Sequence, residues 1–93
     1  MSMKIVEYKD LIAFHPGKYI GELTEDYNMT QKEFAEKLGV SPKTISKLVN
    51  GEESINNDIA QKLAKFTNIS MTTWLNLQTS YDTKIAEGAV HWE

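Results

Sequence analysis

Five times along the chain an apolar residue is followed by a possible capping residue, with a second apolar residue five positions after the first. The instances are Phe14-His15…Tyr19, Met29-Thr30…Phe34, Val40-Ser41…Ile45, Ile55-Asn56…Ala60 and Ile69-Ser70…Trp74. This is the spacing of a hydrophobic staple, in which the apolar pair brackets the cap and fixes how the chain enters a helix. Behind each start the apolar positions recur at helical spacing: Tyr19, Ile20, Leu23 and Tyr27; Phe34, Ala35 and Leu38; Ile45, Leu48 and Val49; Ile59, Ala60, Leu63 and Ala64; Trp74, Leu77 and Tyr81. The pattern predicts five helices, over residues 16–27, 31–38, 42–49, 57–66 and 71–85.

The punctuation agrees. Pro16 and Pro42 each stand where a helix begins, where the missing N–H is not needed. Thr30 with Glu33 forms a capping box, whereas His15 is the poorest cap of the set. Gly39 and Asn50-Gly51 supply left-handed stops. Helices this short are marginal alone in water, so the apolar stripes must share one core. The predicted fold is all-α, with an arm at 1–13, a helical domain at 14–86 and a loose tail at 87–93. Ile5, Val6 and Tyr8 in the arm suit either a short strand or an extended segment.

Predicted helices 2 and 3 are joined by Gly39-Val40-Ser41, a three-residue turn containing glycine, as a helix-turn-helix requires. At 100° per residue, Ile45, Leu48 and Val49 take one side of helix 3. Lys43, Lys47 and Asn50 then lie opposite, flanked by Thr44 and Ser46. That face has no carboxylate and offers the ammonium, hydroxyl and amide groups that phosphates and base edges pair with. A solvated lysine face is the plain alternative, as a tolerated polar residue is for Gln31 and a C-cap for Asn50.

Composition changes the picture in two ways. The 93 residues carry a net charge of −3, and all ten cations are lysines, so bidentate arginine recognition is unavailable. Yet from Met29 to Gly51 four lysines oppose two glutamates, a local excess of two positive charges that leaves −5 on the remainder. The segregation suits a polyanion on one face and a basic partner on another. The lack of cysteine excludes disulfides, thiolate catalysis and cysteine-ligated zinc, and fits a reducing cytoplasm.

No apolar run approaches a membrane span, and Glu7, Lys9 and Asp10 interrupt any leader-like core. The triplets Asn28-Met29-Thr30 and Asn68-Ile69-Ser70 are read as by-products of helix-start chemistry rather than glycosylation sites. No phosphate loop, nucleophile motif or paired carboxylates point to an enzyme, and no cofactor or small-molecule ligand is evident. His15 and His91 lack a third ligand for a metal.

These residues resemble a known family. "QKEFAEKLGVSPKTISKLVNG" is similar to the lambda-repressor-like helix-turn-helix of XRE regulators. "HPGKYI" before it and "AQKLAKFTNISMTTWLNLQTSYD" after it look like antitoxins of HigA type, sometimes grouped with VapI, across about residues 15–82. The resemblance implies a five-helix, lambda-repressor-like domain that binds its palindromic operator as a homodimer and neutralises a basic, RelE-like toxin that cleaves mRNA. It further implies Lys43, Thr44, Ser46 and Lys47 at base edges, with Gln31, Lys32, Ser41 and Asn50 at phosphates. Pro42 stands where repressors often place a base-reading glutamine, so the operator sequence does not transfer.

For the dimer contact the candidates are Trp74, Leu75, Gln78 and Tyr81 on helix 5, with Leu75 either meeting a second copy or widening the core stripe. Glu22, Glu25 and Asp26, the arm and the tail each suit a basic partner. A stand-alone repressor, or a helix-turn-helix used only to bind protein, are the competing readings.

Overall fold

The computed structural model describes residues 12–88 and 90–92. A short strand, β1 (Ile12–Phe14), leads into α1 (Gly17–Asp26), α2 (Gln31–Leu38), α3 (Pro42–Val49), α4 (Asn57–Thr67) and α5 (Met71–Ala86), and the chain closes with β2 (Val90–Trp92). Each helix falls within two residues of its predicted bounds, because the caps act where the sequence places them. Glu33 N–H donates to Thr30 Oγ1 at 3.0 Å while Glu33 Oε1 accepts from Thr30 N–H at 2.9 Å, completing the capping box. Ser41, Asn56 and Ser70 cap α3, α4 and α5 with the side-chain acceptor alone, each taking the N–H three residues on.

The two Asn-x-Ser/Thr triplets belong to this grammar at both ends. Asn28 and Asn68 take left-handed φ of 55° and 63°, and Thr30 and Ser70 two residues later cap the next helix. Each triplet therefore stops one helix and starts another.

The core gathers Ile20, Phe34, Ile45, Leu48, Leu63 and Trp74, all fully buried, one or two from every helix. Burial of a side chain this size contributes about 1.5–3 kcal/mol. Phe66 of α4 stands edge-on to both Phe34 (centroids 5.3 Å apart) and Tyr27 (5.6 Å), closing the core beneath α1 and α2.

The closing segment corrects one expectation. Residues 90–92 do not hang loose: they pair in parallel with β1, in the register Ile12 to Val90, Ala13 to His91 and Phe14 to Trp92. Three-residue strands are too short for alternation to show in sequence, and their pairing joins segments far apart in the chain. Ile5, Val6 and Tyr8 lie outside the described residues.

Candidate DNA interface

The turn before α3 depends on Gly39, which adopts φ 84° and ψ 33° and donates its N–H to Ala35 O at 2.9 Å. A Cβ there would meet nothing within 4 Å, so the demand is for a left-handed backbone rather than for space. Ser41 then caps α3 and Pro42 opens it. Ile45 and Leu48 are fully buried, with Val49 half-buried against the core.

With α3 held by that side, Lys43, Lys47 and Asn50 are exposed and Thr44 and Ser46 half-exposed. Among the described residues neither lysine has a carboxylate partner, and the ion pair there joins Lys62 to Asp58 at 3.1 Å. Ser41 Oγ accepts from Thr44 N–H at 3.1 Å and lies 2.9 Å from Thr44 Oγ1. These two hydroxyls thus serve the helix start, and a nucleic acid would meet them as a pair. Lys32 is exposed on the first turn of α2.

Gln31 and Asn50 come together. They line one open cleft of about 740 Å³ between α1 and the ends of α2 and α3, in company with Lys18. Lys18 is a cation that helical periodicity alone had not singled out; its place in the first turn of α1, lining the same cleft as Asn50, emerges only from packing. Glu22, Glu25 and Glu52 line the same cleft, giving it mixed sign. The uniformly cationic surface is therefore the α3 face itself.

The flanking motifs act behind this face. A Cβ on Gly17 would fall 1.6 Å from Leu48 O, so only glycine lets α1 abut the last turn of α3. His15 Nδ1 accepts the Gly17 N–H at 2.9 Å, which makes His15 the effective cap although Pro16 occupies the capping position. The buried His15 ring stands edge-on to Tyr81 of α5, centroids 4.9 Å apart. Burial, reinforced by the neighbouring Asp82 carboxylate, holds the Tyr81 phenol above its ordinary pKa.

On the same helix Gln78 Oε1 accepts from the buried Ile55 N–H at 2.8 Å, while Gln78 Nε2 donates to Asp82 Oδ1 at 2.9 Å. The loop leaving α3 is thereby tied to α5. His15, Gly17, Gln78, Tyr81 and Asp82 thus form a buttress behind α3 and the loop that leaves it, a role their spacing in sequence does not reveal.

This arrangement also divides the predicted dimer residues. Trp74 is fully buried and Gln78 is 5% exposed, both occupied within one copy of the chain; Leu75 and Tyr81 are half-buried. No helix of the described residues is long and apolar enough to cross a membrane.

Comparison with known proteins places this geometry. The helix-turn-helix family pattern matches residues 20–74. Virulence-associated protein I of Dichelobacter nodosus is 33% identical over 79 residues, which cover 84% of this chain and 73% of that protein. Among solved structures, one described as an antidote protein of a plasmid maintenance system from Nostoc punctiforme superposes with a TM-score of 0.78 at 40% identity, covering 81% of this chain and 82% of its own. An addiction-module antidote of the HigA family from Coxiella burnetii gives 0.72 at 37% identity, covering 77% and 79%. Pseudomonas aeruginosa antitoxin HigA, solved with the higBA promoter, gives 0.74 at 29% identity, with the same coverage.

Proposed function

The chain belongs to the helix-turn-helix family, and from that premise we propose that it is an antitoxin and autorepressor of a HigBA-like toxin–antitoxin module. It binds a palindromic operator in its own promoter as a homodimer in the cytoplasm and neutralises a basic, RelE-like, mRNA-cleaving toxin. The observation that carries the DNA half is the α3 face: two exposed lysines without carboxylate partners, on a helix anchored by Ile45 and Leu48. HigA-family neighbours, one of them solved on promoter DNA, support the assignment.

In this reading α3 enters the major groove. Lys43, Thr44, Ser46 and Lys47 face base edges, while Gln31, Lys32, Ser41 and Asn50 hold phosphates on either side, joined by Lys18 at the cleft. One helix of this length reads only a few base pairs, so two copies sit about 34 Å apart on the palindrome. With Trp74 and Gln78 buried and Tyr81 packed edge-on against His15, Leu75 is the one of the four candidate residues of α5 left to meet the second copy.

The test is a salt titration of binding to a duplex from the region upstream of the gene. Log affinity falls with log salt at about −0.9 per neutralised phosphate, and Lys43→Ala with Lys47→Ala weakens binding and flattens the slope. Unchanged affinity in the double variant would remove α3 from the groove.

A further inference from the structure

A second concavity lies between α1 and α5, meeting the first at Glu22. Tyr19, Glu22, Leu23 and Asp26 of α1 form one wall, and Ile69 of the preceding loop with Thr73, Trp74 and Leu77 of α5 form the other, around about 200 Å³. Pockets for drug-sized ligands run to about 300–1,000 Å³, so this one suits a protruding side chain or two rather than a metabolite. Its surface is mostly apolar: Tyr19 is 40% exposed, and Leu23, Ile69 and Leu77 are half-buried. Trp74 lines it as well, and the buried Trp74 Nε1–H finds no acceptor among the described residues.

The charge around this groove is one-sided. Glu22 and Asp26 are exposed, neither is ion-paired among the described residues, and no cation is among the lining residues. Aromatic and aliphatic side chains in a recess beside unpaired carboxylates make the anatomy of a protein-binding hot spot with a charged rim. DNA is repelled by such a rim. A second copy docked through the same groove about a two-fold axis would bring like carboxylates face to face.

We infer that the α1–α5 groove is the docking site for the cationic toxin, and this inference rests on the toxin-neutralising reading above. A segment of the toxin seats an apolar side chain between Tyr19 and Leu77, while lysine or arginine residues beside it neutralise Glu22 and Asp26. Of the acidic helix, the arm and the tail, the geometry selects the acidic helix. None of the lining residues comes from α2 or α3, and Glu22 alone is shared with the Gln31–Asn50 cleft, so a toxin segment seated between Tyr19 and Leu77 leaves the lysines of α3 uncovered.

The test measures binding of the purified product of the adjacent gene to the full chain by calorimetry, in wild type, in Tyr19→Ala/Asp26→Lys, whose two positions line this groove and not the Gln31–Asn50 cleft, and in a distant control, Glu87→Lys. Both groove positions are exposed, so the double variant keeps its fold. The expected result is at least about tenfold weaker binding for the groove variant, a change under about twofold for the control, and operator binding retained in both. Wild-type affinity in the groove variant overturns the site. So does a groove variant whose only defect is dissociation of the dimer in sedimentation, which would make the groove a contact between copies. Failure of the wild type itself to bind the product defeats the neutralising function, a result distinct from failure of the groove alone.

Discussion

Helices α3 and α5 divide their residues in opposite ways. On α3 the sides are clean: Ile45 and Leu48 are fully buried, and Lys43 and Lys47 stand free in solvent. On α5 they are mixed: Gln78 is buried at 5% exposure while Ile85 remains 38% exposed. A helix that presents its polar face to a duplex needs only to be anchored from behind. One that holds other elements in place spends polar side chains inward, on Ile55 N–H and against His15. The difference predicts that substitutions on α3 act on DNA affinity and that substitutions in the buttress act on stability.

The largest expected effect is at the joint between the two. Gly17→Ala drives a Cβ into Leu48 O, and since neither backbone can give way easily, the loss is about 3 kcal/mol or more, read as a fall in thermal midpoint. A variant with unchanged stability would show that α1 and α3 are not pressed together as described. Gln78→Ala leaves the buried Ile55 N–H unpaired and opens space in the core, so denaturant unfolding should register about 1–3 kcal/mol. Thr30→Ala removes one half of the capping box and is expected to lower stability by about 1 kcal/mol, testing a local device against the long-range one. Lys43→Ala/Lys47→Ala, by contrast, shifts stability by no more than about 0.5 kcal/mol while weakening operator binding. A large stability loss in that last variant would erase the distinction between the helices.

The contrast also explains what was legible in the sequence. Caps and staples act over three to five residues, so Thr30, Ser41, Asn56 and Ser70 announced four helix starts directly, and the 3.6-residue period separated Lys43 and Lys47 from Ile45 and Leu48. Gln78, reckoned a surface residue for dimerisation, is buried because its partner Ile55 lies 23 positions earlier, and no periodicity encodes that bond. The pairing of 90–92 with 12–14 was hidden for the same reason, as was the pairing of Gln31 and Asn50 with Lys18 across one cleft. The acidic face of α1 was visible as charge; that it borders an apolar recess shared with α5 depends on the packing of two helices more than forty residues apart.

The central claim is that α3, and not the α1–α5 side, meets the duplex. Amide chemical shifts of the isotope-labelled chain, followed while a duplex from its own promoter is titrated in, test it most directly. The account predicts the largest changes at Lys43, Thr44, Ser46 and Lys47, smaller ones at Gln31 and Asn50, and none of comparable size at Tyr19, Asp26 or Leu77. Changes concentrated on Tyr19, Asp26 and Leu77, with the α3 amides unmoved, would contradict it.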